Sequence, residues 1–312
     1  MKKLIGKGFI ALFIIIFILG TLMVTSANPL FSDKLNLLTD SGGYAGFGTD
    51  EVASVLDIID NDTEATKLII GDSVAAQLFV SQAPQDYLVA TGNQAMTFMW
   101  QYFFAERFIN THSNAADVYI AVTPDSLTTL WNSTLSYQYV VMPLVKFGYY
   151  DRLDATSKDE LLKIYGKKFM EESMVSFIDR SGINRKLFLN GLDRIYSNKE
   201  PYTKNPTVVS RIANEYLVKT YTLCKENGVQ MHFICCPVKD TPENHSDLEA
   251  LAKDYMFTEI GSIFPKFFDG IMYYSPDLFK DDIHFKDNVL THEFKREIIE
   301  KIKENTGEFS GL

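Results

Sequence analysis

Lys67–Phe79, KLIIGDSVAAQLF, is the stretch that decides the fold. Leu68, Ile69 and Ile70 form a short apolar run of strand length, Gly71-Asp72-Ser73 a tight turn, and Val74–Phe79 the opening of a helix. Glycine tolerates backbone angles that other residues resist, so Gly71 is expected to aim the following side chain out of the strand end. The carboxyl ends of strands are where open α/β sheets collect ligands. A serine placed there sits at a helix N-terminus, whose free N–H groups favour negative charge. Ser73 is therefore a candidate nucleophile, and Asp72 beside it an acceptor that stabilises the turn.

The same rhythm recurs outward from this stretch. Tyr87–Ala90 is a second apolar strand, closed by Thr91-Gly92-Asn93 ahead of a helix expected over Ala95–Phe108. Asp117–Val122 (DVYIAV) is a third, ending in Thr123-Pro124-Asp125-Ser126. Upstream, Val52, Val55, Leu56 and Ile59 recur at helical spacing. Successive strand–loop–helix units predict a parallel sheet covered on both faces.

Residues of about 127–204 interrupt the rhythm and are expected to form a largely helical insertion. Ser157-Lys158-Asp159-Glu160 has the form of a capping box and Gly182 that of a helix end. Aromatic residues there, Trp131, Tyr137, Tyr139, Phe147, Tyr149 and Tyr150, are expected to pack. The α/β pattern then resumes. A helix is expected from an Asn205-Pro206 cap to Asn227, a fourth strand over Met231–Val238, and a helix opened by Ser246–Glu249. A short strand near Ile271–Tyr274 and a last helix over Asn288–Asn305 complete the chain.

At the other end, Lys2, Lys3 and Lys7 precede an apolar run, Phe9–Val24, broken only by Gly20 and Thr21. This approaches the length that crosses a bilayer, and the lysines predict a cytoplasmic N-terminus with the body exported. Thr25-Ser26-Ala27 would suit signal cleavage and a secreted product. A retained single-pass membrane anchor is favoured, because the run exceeds the usual ~7–15-residue core of a signal peptide. The expected organisation is residues 1–27 as anchor or signal, 28–48 as linker, and 49–312 as the α/β domain carrying the insertion.

With 46% hydrophobic and 22% charged residues the composition is that of a globular protein, and a net charge of −10 argues against a nucleic-acid partner. Cys224, Cys235 and Cys236 show no metal-ligand spacing, and neighbouring strand residues point to opposite faces, so buried thiols are expected rather than a disulfide. No cofactor or metal is expected. Of the histidines, His232 falls in an apolar strand, while His112, His245 and His292 are expected at the surface.

A nucleophilic serine needs a base, and the base an orienting acceptor. Phe279-Lys280-Asp281-Asp282-Ile283-His284 supplies both from one short loop ahead of the last helix. Asp281 can hold Nδ1–H of His284 while Nε2 faces Ser73.

On these residues the chain resembles the SGNH (GDSL-type) hydrolases: Gly71-Asp72-Ser73 after the first strand, Gly92 after the second, and Asp281-x-x-His284 before the terminal helix. The resemblance covers about 66–306 apart from the insertion. It implies a flavodoxin-like three-layer α/β sandwich with Ser73 as nucleophile, His284 as general base and Asp281 as its partner. The N–H groups of Ser73 and Gly92 would form the oxyanion hole. The family's Gly-x-Asn-Asp motif after the third strand is replaced by Thr123-Pro124-Asp125-Ser126, where an aspartate would repel an oxyanion, which leaves Asn93 as a candidate donor. With the N-terminal anchor, this departure resembles the membrane-anchored branch that includes alginate and peptidoglycan O-acetylation proteins and the D-alanylation protein of teichoic acids. The resemblance implies acyl transfer or ester hydrolysis on an envelope polysaccharide or other acyl acceptor, beside a multi-pass membrane O-acyltransferase. The alternatives are a catalytically weak accessory protein that binds polymer or acyltransferase, and a plain secreted esterase.

Overall fold

A computed structural model describes residues 10, 13–21, 47–62, 64–92, 97–128, 137–165 and 205–306. The chain divides into two compact units, one of residues 1–49 with 131–202 and one of residues 50–130 with 203–312.

The second unit is mixed α/β. Strands β1 (Lys67–Gly71), β2 (Tyr87–Val89), β3 (Asp117–Val122) and β4 (Gln230–Cys235) form one sheet in the order β2-β1-β3-β4. Every pairing is parallel, with Ile69 beside Val89 and Tyr119, and Tyr119 beside His232. Strands covered on both faces must be apolar at consecutive positions, and Leu68, Ile69 and Ile70, like Val118, Ile120, Ala121 and Val122, are inaccessible to solvent. Ile69, Tyr119, Ala121 and Ile234 share one face, where they meet Val74, Leu78 and Phe79 of the helix Ser73–Phe79 and Ile298, Ile299 and Ile302 of the terminal helix His292–Thr306. Full burial of a side chain of this size contributes about 1.5–3 kcal/mol. On the other face the helices Phe98–Thr111 and Arg211–Glu226 pack on each other and against β1 and β4, with the rings of Phe98 and Phe233 edge to face. The expected strand Met231–Val238 is divided: β4 ends at Cys235, and β5 (Val238–Lys239) pairs instead with β6 (Tyr273–Tyr274).

Several helix starts differ from expectation because a different side chain takes the free N–H groups. Ser210, not Asn205, caps Arg211–Glu226, with its hydroxyl accepting from the Ala213 amide at 3.0 Å, while Asn205 folds back onto Thr207. Thr241 caps the helix Pro242–Tyr255, accepting from the Asn244 amide, so Ser246 and Glu249 lie inside it and Glu249 pairs with Lys253. His112 is buried rather than exposed. It closes Phe98–Thr111 with its ring over Phe108 at 4.2 Å. His232 is buried as the strand requires, stacked on Tyr119 and bonded through Nε2 to Asp117 at 2.9 Å. The three cysteines are free and buried, and burial pushes the Cys224 thiol up to about 12.

Of the first unit, residues 13–21 are helical with Phe13 and Phe17 exposed. Among the described residues no helix is long and apolar enough to cross a membrane. The expected cleavage site at Thr25–Ala27, residues 28–46 of the expected linker 28–48, and Gly182 lie outside the described residues, while residues 47 and 48, expected in the linker, open the helix Phe47–Asn61. Residues 155–165 are helical, and the cap is Asp154: its carboxylate accepts from the amide and hydroxyl of Ser157, which therefore lies within the first turn. Burial pushes the Tyr150 hydroxyl up to about 12, with Asp151 and Asp159 adding to it.

Gly71 is required for a reason other than its backbone angles. It ends β1 against β3, paired with Ala121, and a Cβ there would lie 1.9 Å from the Ala121 carbonyl oxygen. That oxygen also accepts the Asp72 amide. Gly71→Ala forces the two strands apart at the end that carries the serine, and is expected to lower stability by about 1–3 kcal/mol in urea unfolding.

Candidate active site

Asp72 builds the corner on which Ser73 stands. Its carboxylate is buried and accepts five hydrogen bonds. Oδ1 takes the amides of Val74 and Ala75 and so caps the helix Ser73–Phe79; Oδ2 takes the Thr123 amide at 2.7 Å and the hydroxyls of Thr123 and Ser126, each at 2.9 Å. The turn after β1 is thereby stapled to the turn after β3. The Ala76 amide returns to the Asp72 carbonyl, and no described residue accepts from the amide of Ser73.

The second half of the site is a small hairpin. Phe279 and Phe285 form an antiparallel bridge flanked by hydrogen bonds from the Lys280 amide to the His284 carbonyl and from the Lys286 amide to the Leu278 carbonyl. The two rings stack at 4.5 Å, and Phe285 is fully buried against Tyr274 and Phe294. At the tip, Asp281 Oδ1 accepts the amides of Ile283 and His284, an Asx turn that shapes the loop. Its Oδ2 lies 2.8 Å from His284 Nδ1. On the far side of the ring, Nε2 lies 2.7 Å from Ser73 Oγ. The structure thus brings together Ser73, His284 and Asp281 in one line.

Partial burial works against the charged form of Asp281, but the amides of His284 and Ile283, followed by the imidazole, outweigh it and hold the carboxyl below its ordinary value. Lys239 steadies the same tip from β5, its Nζ 3.2 Å from the Asp281 carbonyl and 3.4 Å from Asp282 Oδ1.

The other expected oxyanion donors fare differently. The Gly92 amide is directed at the Gly71 carbonyl, a long contact of 3.4 Å, because the chain continues the β1–β2 ladder past Val89. Asn93 lies outside the described residues. Thr123 and Ser126 serve the Asp72 carboxylate, roles that the motif comparison alone did not reveal. Their signal was the hydroxyl-rich turn at the end of β3, level with Gly71.

Beside this line, at the same end of the sheet, lies a cavity of about 430 Å³ lined by Thr123, Asp125, Lys239, Asp247, Asp282 and Ile283, among others. Its charged lining is mostly acidic, with Asp125, Glu243, Asp247 and Asp282 against Lys239, beside apolar residues such as Val238 and Leu248. Among the described residues, no group of His, Cys, Asp and Glu is gathered as a metal site.

No family model matches the sequence, and no curated protein does. A solved structure described provisionally as a platelet activating factor from Streptococcus pneumonia is similar with a TM-score of 0.35 and 7% identity, over 82% of this chain and 91% of that one. Likeness at that level specifies neither family nor activity.

Two outcomes are expected of substitutions here. Asp72→Asn cannot accept on both sides of the corner: its amide NH₂ must face either two donors or three. It is expected to cost on the order of 2–4 kcal/mol in urea unfolding. For Asp281, the folded-state value lies below the ordinary 3.8, so its contribution is complete above that value and is lost as pH falls through the lowered one. The gap in melting temperature between the parent chain and Asp281→Asn is therefore expected to be full near neutrality and to shrink below about pH 4.

Proposed function

We propose that this chain is an extracytoplasmic serine acyltransferase or esterase of SGNH type, held at the cell membrane and working on an envelope polysaccharide through an acyl-serine intermediate, with acetyl as the acyl group. One observation carries the proposal: the continuous line from Asp281 through His284 to Ser73, with separations of 2.8 and 2.7 Å. The sheet order β2-β1-β3-β4 supports a flavodoxin-like arrangement. The apolar run Phe9–Val24 behind three lysines supports the anchor.

In this reading Ser73 Oγ attacks the ester carbonyl carbon while His284 Nε2 takes its proton. The tetrahedral oxyanion is met by the Ser73 amide, and Gly92 joins it only when its long bond to Gly71 gives way. Collapse breaks the bond to the leaving alcohol, which receives the proton from His284. A sugar hydroxyl or a water then attacks the acyl-serine and passes its proton to His284, which returns it to Ser73 Oγ as the acyl–oxygen bond breaks. Asp281 holds the imidazole in the tautomer that leaves Nε2 free to accept, and stabilises the imidazolium formed at each half-reaction. Transfer and hydrolysis differ only in that second acceptor. The cavity beside the line, with its carboxylates and the Thr241 hydroxyl, offers acceptors and a donor for sugar hydroxyl groups.

The full chain in detergent is expected to release nitrophenol from p-nitrophenyl acetate, and Ser73→Ala to lower kcat by about 10³-fold or more. Equal turnover by the variant would overturn the reading. The engagement of Gly92 with Gly71, together with Thr123-Pro124-Asp125-Ser126 in the usual donor position, favours a second reading, an accessory protein with little turnover of its own. A fluorophosphonate probe separates the two: the enzyme labels at Ser73, whereas the accessory protein does not.

A further inference from the structure

We propose that Gln77 is a positioning residue that sets the reach of His284 to the serine, a role that rests on the acyl-transfer reading above. Ser73 and Gln77 stand four residues apart on the helix Ser73–Phe79, one turn from each other on one face. His284 and Phe285 are neighbours on the hairpin. Ser73 Oγ meets the His284 ring, and one turn later the Gln77 amide meets the backbone of the next residue. Its Nε2 donates to the Phe285 carbonyl at 3.3 Å, and the Phe285 amide donates to its Oε1 at 3.2 Å.

The geometry of the hairpin explains why that clamp falls there. The flanking bonds of the Phe279–Phe285 bridge come from Lys280, His284, Lys286 and Leu278, so the amide and carbonyl of Phe285 point outward from the bridge. They are two edge groups of a strand with no strand beside them. Gln77 supplies the missing partner with a single side chain. Only a carboxamide presents a donor and an acceptor side by side in the spacing that a backbone edge requires. Asparagine is one methylene shorter, and glutamate has the acceptor without the donor. The Phe285 ring is locked in the aromatic core, so the clamp fixes helix against hairpin at the residue next to the base. Gln77 touches neither reacting atom. It acts through His284.

The test uses the full chain in detergent with p-nitrophenyl acetate. Gln77→Met, similar in length but without donor or acceptor, is expected to lower kcat by about 10–100-fold with KM changed by less than about twofold, as a base displaced by about 1 Å would. Gln77→Glu, which still accepts from the Phe285 amide, is expected to fall between Gln77→Met and the parent chain. In a His284→Ala background Gln77→Met is expected to cause no further loss. An unchanged kcat, or the same fold-loss in both backgrounds, would overturn the proposal. A second measurement is independent of turnover and of whether Gln77→Met folds, since Gln77→Glu serves equally. Ser73→Ala is expected to move the His284 ring resonances in the parent chain, and to move them less once Gln77 is replaced. An undiminished movement would overturn the clamp even in a chain that turned over no ester. A parent chain without turnover or probe labelling would instead overturn the acyl-transfer reading, leaving the resonances to decide the clamp.

Discussion

A single buried carboxylate holds the architecture of the site together. Asp72 leaves no lone pair idle: two helix amides on one side, an amide and two hydroxyls on the other. A charge placed at 1% exposure is tolerable only when so fully bonded. The bonds run to the serine's own helix on one side and to the turn that follows β3 on the other, so the serine cannot shift without disturbing both. Gly71 sets the same corner from the other side, because the absence of a Cβ lets the end of β1 lie against the Ala121 carbonyl. Ser73 is therefore placed by rigid elements rather than by a loop.

His284 is delivered differently. His284 rides on a hairpin whose stability comes from stacked aromatic rings, and whose tip is shaped by the carboxylate that also orients the imidazole. Asp281 has two tasks with its two oxygens, one structural and one directed at the ring. Lys239 and Gln77 bracket the tip from β5 and from the serine's own helix. Rigidity is reached on each side by a different means, and the two sides meet at the 2.7 Å contact between Ser73 and His284.

Much of this was legible in the amino-acid order, and the reasons for the gaps are physical. Strands buried on both faces announce themselves as unbroken apolar runs, which is why Leu68–Ile70 and Val118–Val122 could be read directly. Asp281-x-x-His284 could be read because an Asx turn is local, its partners lying within three residues. Helix starts were less secure: Asn205 and Ser210 are both competent caps for one helix, Thr241 and Ser246 for another, and which one serves depends on tertiary bonds such as that from the Ser210 amide to the Leu127 carbonyl. His112 was misplaced because a polar ring can be buried where a helix end and an aromatic neighbour accept it. The Gly71 requirement was read as a matter of backbone angles, whereas it arises from a strand distant in sequence. The clamp by Gln77 was invisible for the same reason, since its partner lies 208 residues away.

That separation has a consequence for the life of the chain. Ser73 precedes His284 by 211 residues in the order of synthesis, and the hairpin gains its aromatic footing only when Phe294 and the helix His292–Thr306 close over Phe285. Until then the chain carries Ser73 without the imidazole that faces it. The line from Asp281 through His284 to Ser73 assembles only once the hairpin has closed on the serine's helix. The order of synthesis thus keeps the two halves of the site apart until the sheet is in place.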